Sequence, residues 1–499
     1  MKTLQKLTTF ILLLVSAVTF AQKENVFLER SFWKGDPNLE TVKKHIKEGN
    51  DPTAFNTNAF DGVVYALLEN ANSDVVKHLL DQQGNPVDKR THDSRIYLHW
   101  AAYAGNTEMV KTLLERGSSV TALDSHGNTP LTFAAGAGQL NPKVYELFIE
   151  NGVDLVEEKN EEGANVLLLV APFLENEEQL TYFTEKGLLL NSTDPQGNGI
   201  FNYAAKKGNI DFLKLLVKKG VDYKTLNNEG GNAFLFAAQG SRGYSNPLAV
   251  YTYLKTIGLE PNIVTKKGGS PLHRLAYNTT DPAILNFFLS AGADVNQKDM
   301  DKNTPFLNAA SRNSLDMVKL LAERVSNFNG ANVKGETALM LAVKGNSPEV
   351  TEFLLKKGSN AQAKDSSGNT LAYYLVESFN AKKIEEFEKK ATMLQKNGVV
   401  FNEVQAEGNT LYHLAAKAND LSLLKKLSEY NIPVNAKNNE GLTALHLAAM
   451  KAKDDAMLKY LIALNADTTI KTDFEESVYD LASENELLTK NKTSLNFLK

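Results

Sequence analysis

The sequence predicts an all-α fold: a solenoid of about thirteen helix–turn–helix units joined by short polar turns. Three observations carry this expectation. A phrase of the type Gly-x-Thr-Pro-Leu-x-x-Ala-Ala opens at residues 94, 127, 163, 197, 230, 268, 302, 335, 368, 408, 441 and 475, with 33 to 40 residues from each start to the next. A glycine closing each unit keeps the same beat at Gly49, Gly84, Gly117, Gly152, Gly187, Gly220, Gly258, Gly292, Gly358 and Gly398, and Asn431 and Asn465 continue it. The third place of the phrase is Thr, Ser or Asn in ten of the twelve copies. Self-similarity at such a period marks stacked supersecondary units, and 499 residues is more than one ordinary core accommodates.

Each part of a unit has a physical reason. Three residues ahead of the lead glycine stands Asp or Asn, as at Asp124, Asn160, Asp194, Asn227, Asp299, Asn332, Asp365 and Asn438. Asp/Asn-x-x-Gly is turn chemistry. The third place (Thr129, Asn165, Ser270, Thr304, Thr443) is a helix N-cap, whose side-chain oxygen accepts an otherwise unpaired backbone N–H. Pro130, Pro271 and Pro305 follow at the first helical position, where a missing N–H costs nothing. Five past the cap comes a small residue (Ala101, Ala204, Ala309, Ala448), which lets neighbouring helices approach closely. Nine past it comes Gly105, Gly138 or Gly208, or else Asn313, Asn346 or Asn419, residues that tolerate a left-handed helix end.

The phrase, together with "SAGADVNQKD" from Ser290 to Asp299, resembles the ankyrin repeat across residues 28–490. The resemblance implies that the links are β-hairpin fingers. It also implies that His99, His273, His413 and His446 bond backbone groups between adjacent repeats, making them scaffold rather than catalytic bases or metal ligands. The organisation expected is a signal peptide at 1–21, an N-terminal capping region with the first repeat at 22–60, the array at 61–471 and a C-terminal capping repeat at 472–499. Three stretches break the period. Pro172, in "VAPFLENEE", should end its helix early; "GSRGYSNPLAVYTYL" lengthens the turn after Gln239; "ESFNAKKIEEFEKKATML" lengthens the helix pair after Glu377.

Composition narrows the function. Hydrophobic content of 42% and charged content of 23% suit a folded chain. With no cysteine, disulfides, thiolate metal sites and cysteine nucleophiles are excluded. Lys2 and Lys6, the apolar "LTTFILLLVSAVTF" and the small residues Thr19 and Ala21 read as an export signal. The apolar run is shorter than the ~20 residues of a membrane span, so no membrane insertion is expected after its removal. Cleavage would leave a chain more acidic than the −5 of the whole, which argues against nucleic acid as the partner. "DMDKN", Asp299 to Asn303, imitates a calcium loop but has Thr304 and Ala310 where glycine and glutamate are required. No phosphate loop, nucleophile elbow or zinc-ligand helix is found, so the expectation is no cofactor, no metal and no enzyme.

The two places after the alanines should face the concave groove. They hold Tyr103, Lys206, Lys207, Gln239, Tyr277, Arg312, Lys344, Lys417 and Lys451, with Glu377 the acidic exception. Two readings stand for this stripe. Solenoids bind partners on this surface, but cations at a helix C-terminus are also favoured locally by ~0.3–1 kcal/mol each. The function expected is a monomeric, non-enzymatic scaffold of the periplasm, binding a protein with an acidic surface at Tyr103, Lys206, Lys207, Tyr277, Arg312, Lys344, Lys417 and Lys451. The alternatives are a secreted effector of a host protein, or an accessory subunit of an envelope redox or stress enzyme, a role the resemblance to exported bacterial ankyrin-repeat proteins implies.

Overall fold

The structure, a computed structural model, describes residues 25–499. The expected signal peptide at 1–21 lies outside them. The chain divides into two compact units, one ending at Asn228 and the other spanning Glu229–Lys499. Both are built of short helix pairs, as the N-caps, alanines and turn residues require.

Among the described residues the first unit holds six pairs: Arg30–Lys34 with Leu39–Lys47, Gly62–Leu68 with Ser73–Leu80, Tyr97–Ala104 with Thr107–Glu115, Pro130–Gly136 with Pro142–Glu150, Val166–Val170 with Glu177–Glu185, and Ile200–Ala204 with Ile210–Lys218. From Gly62–Leu68 onward each first helix packs on the first helix of the next pair. Phe27, in the 3-10 turn Val26–Leu28, and Trp33, in the first helix, are both buried at the N-terminal end. The Trp33 indole N–H donates to the Phe27 carbonyl at 2.9 Å.

The second unit holds eight pairs. Its first helices are Ala233–Gln239, Pro271–Asn278, Pro305–Arg312, Ala338–Gly345, Leu371–Glu377, Leu411–Lys417, Ala444–Lys451 and Val478–Glu484. They too pack in sequence order, each on the next. The alanines predicted to sit between them are sealed: Ala309, Ala342, Ala415 and Ala448 have no exposed surface. Each large apolar side chain buried beside them contributes about 1.5–3 kcal/mol over an exposed one. Leu488 and Leu498 close the C-terminal end. Among the described residues no helix is long and apolar enough to cross a membrane.

The links differ from the expected β-hairpins. Among the described residues they form no strand, only isolated bridges such as Lys159 with Asn165, Thr193 with Gly199 and Ala331 with Thr337. The reason lies in the turn residue. The Asp124 N–H bonds the Asn128 carbonyl at 2.9 Å, while its carboxylate accepts the N–H groups of His126 and Asn128, both at 2.9 Å. The side chain thus takes donors that a second strand would have used. Successive links are joined by single backbone bonds, as from the Val333 N–H to the Asp301 carbonyl at 2.8 Å, with side-chain bonds beside them, as from Asn332 Nδ2 to Asn303 Oδ1 at 3.1 Å.

The breaks in period fall where the sequence places them. Pro172 cuts its first helix to Val166–Val170, followed by the 3-10 turn Ala171–Phe173. After Gln239 a loop intervenes before Leu248–Thr256 begins. The third break produces the helix Ile384–Lys396, 13 residues long. Its buried Lys390 donates to the Val343 carbonyl at 2.8 Å, capping the first helix of the preceding pair.

One expectation is corrected. Gly105, Gly138, Gly208 and Asn419 do end their helices with positive φ. Asn313 and Asn346 do not: they are extended, with φ of −78° and −118°. Each turns its amide back onto the preceding pair. Asn313 Nδ2 donates to the carbonyls of Ala276 (2.8 Å) and Thr279 (3.1 Å), and Asn346 Nδ2 to those of Ala310 (3.0 Å) and Asn313 (2.8 Å). The residue type is chosen for its donor, which satisfies carbonyls left open at a neighbouring helix end.

Candidate interaction surface

The histidines come first, since they are the residues most easily mistaken for chemistry. His446 Nδ1 accepts from the Thr443 N–H at 3.0 Å and lies 2.8 Å from the Thr443 hydroxyl, while Nε2 lies 3.0 Å from the Ile470 carbonyl. A carbonyl can only accept, so Nε2 carries the proton and Nδ1 the lone pair. His413 repeats this with Thr410 and the Leu442 carbonyl, His273 with Ser270 and the Asn303 carbonyl, and His99 with Ile96 and the Asn128 carbonyl. Both nitrogens of each ring are therefore committed to backbone. Burial lowers all four pKa values, that of His99 to about 4. Each imidazole ties its own helix start to the next link.

The place after the histidine, seventh in the phrase, turns toward the link. Tyr203 donates its hydroxyl to Asp194 at 2.9 Å, and Tyr374 donates to Asp365 at 2.8 Å. Trp100 and Phe133 occupy the same place in their units, and the Arg95 guanidinium lies over the Phe133 ring at 4.2 Å while bonding Asp124 at 3.0 Å. Trp100 is buried, its indole N–H given to the Thr91 hydroxyl at 2.8 Å.

The eight candidate residues divide between the units. In the first, Tyr103 is 44% exposed and stacks on Phe133 at 5.6 Å. Lys206 sits over the Tyr203 ring at 4.7 Å and Lys207 over the Phe173 ring at 4.4 Å, so both cations lie against aromatic faces. In the second unit, the Arg312 guanidinium lies 5.4 Å from the Tyr277 ring and 3.4 Å from its hydroxyl. Lys344 pairs with Glu377 at 3.4 Å, so the acidic exception neutralises one member of the stripe. Lys417 borders a groove of about 580 Å³ that also presents Tyr373, Glu377, Glu407 and Asp420. The face is less uniformly basic there than the helix positions alone suggest, because the links add acids. Lys417 and Lys451 are exposed, with no ion-pair partner among the described residues.

Sequence reasoning missed Arg274, at the seventh place of its unit. It lines a groove of about 480 Å³ with Leu235, Gln239, Thr265, Tyr277 and Asn308. The signal was available: Arg274 lies one helical turn before Tyr277, a spacing that sets two side chains on one face.

The apparent calcium loop is a link like the others. The Asp299 carboxylate accepts the N–H groups of Asp301 (3.0 Å) and Asn303 (2.8 Å).

With this geometry in view, the chain matches the family models for ankyrin repeats over residues 63–160, 201–245, 272–365 and 371–472, more than half of its length. It belongs to the ankyrin-repeat family, and such repeats make it a protein-interaction scaffold. Human transient receptor potential cation channel subfamily A member 1 is 24% identical over 267 residues, 52% of this chain and 24% of the channel. The phosphocholine transferase AnkX of Legionella pneumophila is 27% identical over 205 residues, 36% of this chain and 21% of the transferase. Alpha-latroinsectotoxin-Lt1a of Latrodectus tredecimguttatus is 24% identical over 402 residues, 76% of this chain and 27% of the toxin. The chain spans about a quarter of the length of these relatives.

Proposed function

We propose that the chain is an exported, non-catalytic scaffold of the periplasm that holds a partner protein against the face its first helices share with the links. One observation carries the reading. Equivalent last-turn positions of the first helices present exposed Tyr103 in the first unit and exposed Tyr277, Arg312, Lys417 and Lys451 in the second, and neither Lys417 nor Lys451 is answered by an acid among the described residues. Export rests on the basic start and apolar run of residues 1–21. A partner with an acidic surface suits these cations, because complementary charge raises the association rate and fixes register.

The test is a crosslinking pull-down from periplasmic extract, with the wild-type chain set against a variant carrying Lys206→Glu, Lys344→Glu and Lys417→Glu together. The expected result is loss of the crosslinked partner with unchanged helicity by circular dichroism. Undiminished capture would move the binding site off this face. Fractionation tests the compartment separately: recovery from the medium rather than the periplasmic extract would favour a secreted effector.

A further inference from the structure

At the seventh place of the repeat, one guanidinium stands unanswered among the described residues. Where the seventh place carries the polar side chains Tyr203 and Tyr374, the aspartate of the adjoining link receives them. In the unit that starts at Gly268 the seventh place is Arg274, and the link position that holds aspartate elsewhere is Thr265. The Thr265 hydroxyl is occupied by the Gly269 N–H at 3.1 Å. Other arginines find acceptors: Arg95 in Asp93 and Asp124, Arg116 in Asp81, Arg90 and Arg324 in backbone carbonyls. Arg274 is exposed along the groove, has no hydrogen-bond or ion-pair partner among the described residues, and partial desolvation by the groove walls lowers its pKa. A guanidinium fork on a groove wall with no counter-charge of its own is open to an incoming carboxylate.

The surroundings indicate the kind of anion. Leu235 and Ala238 give the groove an apolar wall, and Gln239 and Asn278 give it amides. The Tyr277 hydroxyl takes a bond from Arg312 through its oxygen, which leaves its own proton to give. Asp299, also on the wall, has its carboxylate engaged by two backbone amides of its link.

The geometry points to a carboxylate-binding subsite: an aspartate or glutamate of an extended acidic segment of the partner protein, held by the Arg274 fork and the Tyr277 hydroxyl, with its neighbouring side chain against Leu235. This rests on the scaffold reading above and deepens it. The argument for the occupant is charge complementarity, since the chain substitutes threonine for the one acid that would have closed the pair internally.

The probe is a fluorescein-labelled, end-blocked decapeptide of alternating glutamate and alanine, with a glutamine–alanine decapeptide as control. Both are titrated by fluorescence anisotropy against the full chain at low ionic strength. The glutamate peptide should bind more tightly than the control. Arg274→Gln should lose about ten-fold or more in affinity for it, Arg274→Lys somewhat less because the fork is gone, and Tyr277→Phe a smaller amount. Lys319→Gln with Lys396→Gln, both exposed on second helices, should bind as wild type, and circular dichroism melts establish that each variant is folded. If Arg274→Gln binds normally while Lys417→Gln with Lys451→Gln loses affinity, the subsite is wrong but the scaffold reading stands. Equal binding of the two peptides overturns the subsite, whereas the scaffold reading falls only if the triple lysine variant also keeps its crosslinked partner. Tighter, Arg274-dependent binding of an oligothymidylate would overturn the assignment to a protein.

Discussion

His99, His273, His413 and His446 each use both ring nitrogens on backbone groups, so their protonation state is part of the fold. Burial holds them neutral, with His99 at about 4 against an ordinary value of 6.5. A histidine with a lowered folded pKa leaves the unfolded chain binding more protons between the two values. Its contribution is complete above about pH 6.5 and is lost as pH falls toward 4. For His99 alone the shift corresponds to about 3 kcal/mol. The urea midpoint of the wild-type chain should therefore drop steeply between pH 7 and pH 4.5, and His99→Gln should flatten that drop while lowering the midpoint at pH 7. An unchanged slope in the variant would mean that the imidazole carries no such load.

At the scale of the element, helix ends that look alike are closed in two ways. Asn419 adopts φ of +50°, whereas Asn346 is extended and spends its amide on the Ala310 and Asn313 carbonyls. Asn419→Gly should be neutral to slightly stabilising, because glycine takes the left-handed conformation without steric cost. Asn346→Gly should cost about 1–3 kcal/mol, the penalty for leaving buried carbonyls unmet. Chemical denaturation of the two variants separates the cases, and equal effects would refute the distinction. The links make a related demand. Gly268 has φ of +76°, and a Cβ there would meet the Lys298 carbonyl oxygen of the following link. Gly268→Ala should destabilise by about 1–3 kcal/mol from the left-handed conformation and the overlap together, read in the same denaturation experiment.

For the molecule as a whole, the proposed binding and the stability draw on different residues. The buried alanines and leucines hold neighbouring pairs together within each unit, while exposed cations on the first helices are offered outward. Partner capture should weaken as sodium chloride is raised from about 50 to 500 mM, since exposed charges are screened within a few ångströms at high salt. Helicity, which depends on burial, should be unchanged over the same range. Salt-insensitive capture in a pull-down series would point instead to the aromatic side chains around Tyr103 and Phe133 as the main contact.

The period, the N-caps, the small residues between helices and the scaffold role of the histidines could all be read from the chain, because each repeats and a repeated residue answers a local backbone need. The breaks at Pro172, after Gln239 and after Glu377 were legible for the same reason. What the chain did not disclose lies between units of the repeat: that the links close on their own side chains and stop short of strands, that Asn313 and Asn346 reach back to another helix, that Lys344 meets Glu377, and that Arg274 finds threonine where an aspartate would have answered it. The links close over four residues or fewer and Arg274 depends on which neighbour is missing, whereas the Asn313, Asn346 and Lys344 pairings join residues 33 or more apart along the chain. Only the stacking of one helix pair on the next brings them within hydrogen-bond distance.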